Sequence, residues 1–268
     1  KEIAIDLEHH SIRSYQGFTC LIQMSTRAKD YIIDVLKLRE HIHLLNKITT
    51  DPQITKVLHG ANQDIEWLQK DFGVYVVNMF DTGQAAKFLN YPSHSLAYLM
   101  KHYCNVNANK QYQTSDWRIR PLPKEMRKYA REDTHYLLYI YDRIRQDIVK
   151  TALEKKISPE SYLRSVLNSS KELTLKVYQK PATKNDAYYS SLSRFQQIWS
   201  HQKVQVFKAL WKWRETLGRQ LDENPRYIMP QNLFIKLIED QPKTVTQLLK
   251  NHKNLHAALH SNAEALIE

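Results

Sequence analysis

The chain has 268 residues, 42% hydrophobic and 25% charged, which leaves room for one large globular domain or two smaller ones. No run approaches the length of about 18 apolar residues that spans a bilayer, and the two cysteines, Cys20 and Cys104, exclude a disulfide scaffold and favour a reducing compartment. Lys and Arg number 39 against 28 Asp and Glu, and the net charge of +11 favours a polyanionic partner, nucleic acid first and an acidic membrane second.

Short strands alternate with amphipathic helices in the first half of the chain. Residues 1–8, 18–24 and 31–35 have strand-like composition, and their short connections predict a meander. A further short strand is predicted at 57–59. Helices are predicted over residues 40–48, 62–68, 82–89, 96–103 and 123–148, with Ser95 as the N-cap of the fourth. This order predicts a mixed α/β sheet layered with helices.

The second half of the chain is predicted to be helical. Residues 158–178 predict a connecting helix, and residues 179–186 have the polar, helix-breaking composition of a linker. The rest predicts a small all-α bundle. The bundle helices are predicted over residues 204–214, 232–239, 245–249 and 255–266, with an interruption at 224–230. The predicted limits are therefore 1–151 for the first domain, 152–190 for a connector and linker, and 191–268 for the second domain.

Asp6 and Glu8 are the most informative residues of the first predicted strand. They are two positions apart, so both side chains point to one face, while Ile3, Ile5 and Leu7 occupy the other face. Neighbouring carboxylates repel each other, and a divalent metal ion between them is the usual remedy. The alternative is that the two carboxylates line the solvent-facing side of an edge strand.

Asp64 is a candidate third ligand, because a hard divalent ion prefers several oxygen ligands. It is in the first turn of the helix predicted to begin at Asn62, where Asn62 would cap the helix and Ile65 and Leu68 would face the core. The alternative is an acidic residue placed there only by the helix dipole.

Tyr129 and Asp133 supply a further candidate pair. They are four residues apart on the long predicted helix and so share one face, beside the apolar residues Ala130, Leu137 and Ile144. A carboxylate beside an apolar stripe is unfavourable unless it is liganded or hydrogen-bonded. A tyrosine–aspartate hydrogen bond at the helix surface is the alternative.

In chain order these segments read D-x-E, N-x-D and Y-x-x-x-D, which resembles the DEDD-Y family of 3′-to-5′ exonucleases. The resemblance is closest to the eukaryotic RNase D relative attached to the nuclear RNA exosome, over residues 6–11, 59–61, 116–122 and 129–138. Residues 209–214 and 230–233 are similar to the helicase-and-RNase-D C-terminal (HRDC) domain of that family. The resemblance implies an α/β RNase H-like (DnaQ-type) exonuclease domain with a mixed sheet, followed by an all-α HRDC bundle. Because the chain starts without Met in mid-strand, we expect a fragment that lacks the N-terminal part of the first domain.

The resemblance also implies a site that holds two divalent metal ions, Mg²⁺ or Mn²⁺, and hydrolyses phosphodiesters. Asp6 would bridge both ions, Glu8 and Asp133 would complete the tighter site, and Asp64 would hold the second ion directly or through water. Tyr129 would orient the attacking water, because a phenol with an ordinary pKa of about 10 is a poor base at neutral pH.

Three residues next to these motifs are predicted to bind the substrate. His9 would reach a phosphate or sugar, Trp67 would stack on a terminal base, and Lys110 would neutralise a phosphate. The alternatives are a core residue for Trp67 and ordinary surface for Lys110. Arg118 and Arg120 are predicted to brace the loop before the catalytic helix.

In the helical domain, Trp211 and Trp213 are two apart on one helix and cannot share a face, so at least one is expected to be partly exposed. A basic face that feeds RNA inward is one interpretation of this domain, and a solvated helix surface is the other. The face would comprise Lys203, Lys208, Lys212, Arg214 and Arg219.

The resemblance predicts a 3′-to-5′ exoribonuclease that releases nucleoside 5′-monophosphates from single-stranded RNA 3′ ends. It implies a nuclear, nucleolus-enriched protein that joins the exosome core and its cofactors through segments outside this chain, with no membrane partner. A DNA exonuclease is one alternative, but the helicase-linked kind needs a motor domain, and residues 134–190 contain no glycine-rich phosphate loop. A scaffold that tethers RNA for another nuclease is the second alternative.

Overall fold

The structure, a computed structural model, describes residues 1–180, 188, 192–193 and 199–267. The chain divides into two compact units. Lys1–His10 and Phe18–Gln179 form the first, and Ser11–Gly17 joins Lys180–Glu268 in the second. The predicted linker at 179–186 lies outside the described residues from position 181 onward.

A five-stranded mixed sheet forms the centre of the first unit. Its strands are β1 (Glu2–His10), β2 (Phe18–Ser25), β3 (Asp30–Asp34), β4 (Thr55–Leu58) and β5 (Met79–Asp81). Their order is β3-β2-β1-β4-β5; β1, β2 and β3 pair antiparallel, whereas β4 and β5 are parallel to β1. The predicted meander is confirmed. The edge-strand alternative for Asp6 and Glu8 is wrong, because β1 is the central strand.

Helices surround this sheet within the first unit. They are α1 (Val35–Leu38), α2 (Asn46–Thr49), α3 (Asn62–Phe72), α4 (Thr82–Phe88), α5 (Leu96–Cys104), α6 (Lys124–His135), α7 (Leu137–Glu154) and α8 (Pro159–Thr174). Ile3, Ile5 and Leu7 pack with α3 on one side of the sheet. Ala4 packs with α4, α5, α7 and α8 on the other side, which is also the side of Asp6 and Glu8.

Two predicted helices differ from the structure. Residues 39–45 form a 3₁₀ helix that leads into α2, because the Asn46 amide bonds the backbone of Gly73 and Tyr75 and these tertiary bonds fix the segment. The single helix predicted over 123–148 is two helices that meet at Tyr136. The two halves have largely different neighbours: α6 packs on β1, β2 and β3, whereas α7 packs mainly on α4, α5 and α8 and also contacts β1 and β4.

Helix α8, which the sequence suggested as a connecting segment, packs into the first unit. Ser158 caps it through the Ser161 N–H, and the Ser170 hydroxyl bonds the backbone N–H at the end of β5. Val166 lies in the apolar core on the α7 side of the sheet. The helix therefore contributes to the same core as the strands.

The described part of the second unit is helical, as predicted. Its helices are α9 (His201–Leu221), α10 (Pro225–Ile228), α11 (Gln231–Asp240), α12 (Val245–Asn251), α13 (Ala257–Ser261) and α14 (Ala263–Ile267). Phe207 and Phe234 are fully buried in its core and meet edge-to-face at 5.2 Å. Trp211 and Trp213 are both half-buried, which confirms the expected partial exposure. In the described chain no helix is long and apolar enough to cross a membrane.

The predicted basic face of this unit loses one member. Arg214 is only 1% exposed, and its guanidinium lies over the rings of Phe234 at 4.3 Å and Trp211 at 4.9 Å. Its Nη1 donates to Met229 O at 3.4 Å. Arg214 faces the core because Phe207, Leu210 and Leu217, on the same helix face, do so. The aromatic rings accommodate its planar cation.

Candidate active site

Three carboxylates converge on the central strand. Asp6 and Glu8 come from one face of β1, and Asp133 comes from α6, which packs on that strand. One ligand oxygen from each lies within 4.8 Å of the other two. Strand alternation brings the first two together, and the packing of α6 adds the third.

Asp64 approaches the cluster from α3. It is 8% exposed, and the charge of Asp6 is among the influences that raise its pKa well above the usual value, after burial itself. Asp64 is therefore close enough to Asp6 for its pKa to be raised by the Asp6 charge. It is not one of the three residues whose ligand oxygens lie within 4.8 Å of one another. The predicted cap is wrong in detail: Ala61 is the N-cap, and Asn62 begins the helix with its amide oxygen bonded to Lys176.

Burial and mutual repulsion keep these carboxyl groups from ionising together. Burial raises the pKa of Asp6 to about 7 and that of Asp133 to about 8, with the Asp6 charge adding to the shift at Asp133. Burial and the neighbouring carboxylates raise the pKa of Glu8 to about 10. The cluster is therefore unfavourable as four bare charges at neutral pH.

A divalent cation fits this donor set. No lysine or arginine in the described chain forms an ion pair with any of the four carboxylates. Buried charges are stable only when they are paired or bound to a metal, and clustered carboxylate oxygens are the ligands that Mg²⁺ and Mn²⁺ prefer.

Tyr129 lies beside the cluster and bonds Asp133 one turn further along α6. Burial raises its pKa above the ordinary range, and the charges of Asp133, Glu8 and Asp6 raise it further. Its ring packs near Trp117, with ring centres 5.9 Å apart. Without a bound metal ion the hydroxyl therefore stays protonated at neutral pH and can donate or accept a hydrogen bond.

Helix α6 is anchored so that Asp133 faces the strand. The hydroxyl of Thr134, the next residue, bonds Ser25 Oγ of β2 at 2.7 Å. Before the helix, the Arg120 guanidinium donates to both oxygens of Asp34 at 2.8 and 2.9 Å and to Cys20 O at 3.1 Å. Arg118 bonds Asp116 at 2.8 Å through two nitrogens. These contacts confirm the predicted bracing role of the two arginines.

Asp81, which the sequence analysis missed, fixes the start of α3. One carboxylate oxygen accepts the Ala61 N–H at 2.8 Å and the other accepts the Gln84 N–H at 2.9 Å, so one fully buried side chain caps both α3 and α4. A Cβ at Gly83 would lie 3.0 Å from this carboxylate and 3.3 Å from Gly60 N, so a larger residue would crowd the Asp81 carboxylate.

His9 and Trp67 form a stacked pair next to these acids. Their ring centres are 4.2 Å apart with the planes 10° from parallel, and both side chains are half-buried. Lys70 Nζ lies 3.4 Å from His9 Nε2. Trp67 thus packs against the core, as the alternative prediction for this residue stated, and it also stacks on His9. Lys110 is an exposed residue of the 3₁₀ helix Lys110–Tyr112, and its phosphate contact stays a prediction.

Gln23 of β2 is a second residue that the sequence analysis missed. Its Cα pairs with that of Asp6 across the ladder, and its amide nitrogen donates to Glu8 Oε1 at 3.4 Å. The side chain is completely buried. The sequence feature that could have identified Gln23 is a polar side chain within the otherwise apolar segment 20–24 of a predicted strand.

Similar proteins carry the same two regions. Residues 1–149 match a family model described as 3′-5′ exonuclease, and residues 203–266 match one described as HRDC domain. The chain is 49% identical over 243 residues to "Exosome complex component 10" of Homo sapiens, an alignment that covers 91% of this chain and 27% of that protein. It is 40% identical over 278 residues to "Exosome complex exonuclease RRP6" of Saccharomyces cerevisiae, covering 99% and 37%.

The structural similarity agrees with these alignments. The catalytic core of RRP6 from Trypanosoma brucei has a TM-score of 0.90 and 42% identity, with 99% of this chain and 72% of that chain covered. The predicted fold class, an RNase H-like exonuclease domain followed by a helical HRDC region, is confirmed. The chain spans 27% and 37% of the lengths of the human and yeast relatives.

Proposed function

The chain belongs to the 3′-5′ exonuclease family, and from that premise we propose that it hydrolyses RNA from the 3′ end and releases nucleoside 5′-monophosphates. One observation carries the proposal: Asp6, Glu8 and Asp133 bring ligand oxygens within 4.8 Å of one another, with Glu8 buried and Asp6 and Asp133 half-buried. Such a cluster has little structural value, because its carboxyl groups must either stay protonated or share a bound cation.

The four carboxylates would hold two divalent ions, Mg²⁺ or Mn²⁺. Asp6 would be shared between them, Glu8 and Asp133 would hold one, and Asp64 would hold the other directly or through water. When bound, such ions supply an activated water and stabilise the leaving 3′ oxygen. The raised pKa values of Glu8 and Asp133 support this assignment, since a nearby cation is what makes their charged forms favourable.

Tyr129 would position the attacking water. Its raised pKa keeps the phenol protonated, so its part is to hold a hydrogen bond and not to remove a proton. The bond to Asp133 fixes the side chain for that role, and the anchoring of α6 through Thr134 fixes both residues together.

The His9–Trp67 stack would receive the last nucleotide. The two parallel rings present a surface on which a base or sugar can pack. Lys70 Nζ, which is ion-paired with Asp71 at 3.6 Å, lies next to this surface. Lys110 would contact a phosphate further along the strand. The net charge of +11 supports a polyanionic substrate.

RNA is the proposed substrate, and the nuclear exosome is the proposed assembly, because the human and yeast relatives are named as exosome components. Docking would use segments outside this chain, since those relatives are much longer. Nuclear location, with nucleolar enrichment, belongs to the same proposal. A DNA exonuclease and an RNA tether remain the outcomes that a direct assay must separate.

The direct test is a time course on a 5′-labelled single-stranded RNA with Mg²⁺, with Mn²⁺ and with chelator. We expect a metal-dependent ladder that shortens from the 3′ end and is blocked by a 3′-phosphate. Faster degradation of a matched DNA would replace RNA by DNA as the substrate. Retarded but intact RNA in a gel would favour the tether instead.

The matched variants are Asp64→Asn and Glu66→Gln, which remove one negative charge each from the same helix. Asp64 is buried beside Asp6, whereas Glu66 is exposed. We expect Asp64→Asn to lower kcat by at least about a thousand-fold and Glu66→Gln to retain wild-type activity. Comparable activity of the two variants would remove Asp64 from the proposed metal site.

A further inference from the structure

Gln23 stands on the same sheet face as the carboxylate cluster. Its Cα pairs with Asp6 in the antiparallel ladder of β1 and β2, and paired residues project their side chains to the same side. Glu8 is the diagonal neighbour, within reach of a long side chain. Helix α6 covers this part of β2. Leu21, two residues before Gln23, packs against α6, and Ser25, two residues after it, is hydrogen-bonded to Thr134 of α6.

The Gln23 amide is fully buried, but only one of its two polar atoms has a hydrogen-bond partner among the described residues. Its Nε2 donates to Glu8 Oε1 at 3.4 Å, but its Oε1 has no hydrogen-bond partner among the described residues. An unpaired amide oxygen in a protein interior is unfavourable. Leucine or methionine would fill the same space without that penalty, so the amide calls for a partner that the protein alone does not supply.

We propose that Gln23 is a positioning residue for the divalent-ion site. Its Nε2–H would hold one oxygen of Glu8, and its free Oε1 would accept a hydrogen bond from a water ligand of the bound ion. The inference rests on the proposed function, which supplies the ion.

An amide suits this place better than the other polar side chains. It donates and accepts at once and adds no charge, whereas a further carboxylate would increase the repulsion among Asp6, Glu8 and Asp133. Groups that orient metal ligands in this way tune metal affinity without touching the metal themselves.

The test is Gln23→Met, which keeps the length of the side chain and removes both amide atoms. We expect the RNA-free variant to bind Mg²⁺ about ten-fold more weakly than the wild type, measured by isothermal titration calorimetry and repeated with Mn²⁺. We expect its melting temperature without metal to stay the same or rise, because the unpaired buried oxygen is gone. A residue with a purely structural role would not combine these two results.

Two further variants complete the experiment. Gln63→Met changes an exposed glutamine next to Asp64, and wild-type Mg²⁺ affinity is expected there. Gln23→Asn keeps an amide on a side chain too short to reach Glu8 from its present position. It should also lose Mg²⁺ affinity, and it keeps the proposal testable if Gln23→Met does not fold.

The outcomes separate this inference from the proposed function. Unchanged Mg²⁺ affinity in folded Gln23→Met overturns the role of Gln23, and the exonuclease proposal stands if the wild type binds Mg²⁺ and degrades RNA. A wild type that does neither overturns the proposed function itself. Activity of Gln23→Met that recovers at high Mg²⁺ supports the inference, whereas a loss that no Mg²⁺ concentration restores contradicts it.

Discussion

Tyr129 is surrounded by negative potential from three carboxyl groups. Asp133, Glu8 and Asp6 each disfavour the phenolate, and burial disfavours it more than any of them. Without a bound metal ion this phenol stays protonated at neutral pH and is available for hydrogen bonding. Its chemistry therefore differs from that of a general base, whose pKa must lie near the working pH.

For Tyr129→Phe, we expect kcat to fall about a hundred-fold, as when one positioned hydrogen-bonding group is removed from an active site. Mg²⁺ affinity should be unchanged, because a phenol is not one of the proposed ligands. The shape of the kcat–pH profile between pH 6 and 9 should also be unchanged, since Tyr129 does not titrate there. Multiple-turnover rates at saturating RNA, measured across pH and across Mg²⁺ concentrations, give all three quantities.

Tyr139→Phe is the matched control. Tyr139 is 50% exposed on α7, so loss of its hydroxyl should leave kcat unaltered. A profile of Tyr129→Phe that lost a titrating limb would instead identify the phenol as a base.

Among the elements, α6 depends most on its attachments. Asp133 and Tyr129 are useful only if the helix is held at one rotation against β1. The Thr134–Ser25 bond acts from within the helix, and the Arg120–Asp34 pair acts from the loop before it. The loop pair is the more easily tested because it titrates.

Arg120→Met should lower the free energy of unfolding by about 2 kcal/mol at pH 7, a typical value for hydrogen bonds to a charged group. The Arg120 hydrogen bonds hold the pKa of Asp34 below its usual value. A lowered carboxyl pKa contributes stability above the unfolded-state value of about 4, and that stability is lost as the pH falls through the folded-state pKa. The difference between wild type and variant should therefore shrink from pH 7 to pH 3.

Urea denaturation at the two pH values measures this difference. Arg127→Met, an exposed position on α6, should have little effect at either pH. A wild-type-to-variant difference that is the same at pH 3 and pH 7 would show that the backbone hydrogen bonds of Arg120 matter and the ion pair does not.

The sequence predicts which segments form strands and helices better than it predicts where one helix ends and the next begins. Alternation gives the meander and the shared face of Asp6 and Glu8, since both follow from local geometry. The break at Tyr136 is not local, because it arises where α6 and α7 contact different partners. The role of Asp81 is equally invisible, since a cap that acts across two helices depends on tertiary approach and leaves no local spacing signal.

For the whole molecule, the excess of basic residues predicts salt-dependent binding of RNA. KM for a single-stranded RNA of about twenty nucleotides should rise steeply with KCl, with each phosphate contact adding roughly 0.7 to the slope of log KM against log [KCl]. The kcat at saturating RNA should not change. Initial rates from 50 to 300 mM KCl test this.

A dinucleotide with one phosphodiester is the control, because it makes few contacts and its slope should stay below about 1. Equal slopes for the two substrates would mean that the charge of +11 does not serve substrate binding.

The second unit shows the limit of reading charge from sequence at this scale. The helical periodicity of residues 204–214 identifies the helix face that packs on the core. A positively charged residue on that face is nevertheless predicted to be exposed, because charged side chains are rarely buried. Arg214 is buried because the rings of Trp211 and Phe234 lie against its guanidinium, and ring placement depends on how α9 and α11 pack. The sequence therefore gives the net charge of the chain, but it does not show whether an individual charged side chain is exposed or buried.

The double cap formed by Asp81 also has a consequence for the order of synthesis. When α3 leaves the ribosome, the residue that caps its first turn is still inside the exit tunnel, so Asp64 has no fixed position. It gains one only when the end of β5 follows, and the Asp133 carboxylate is added later still. A growing chain therefore exposes its acids one after another, and under the proposed function it gains a complete metal site only after α6 has emerged and packed on the sheet.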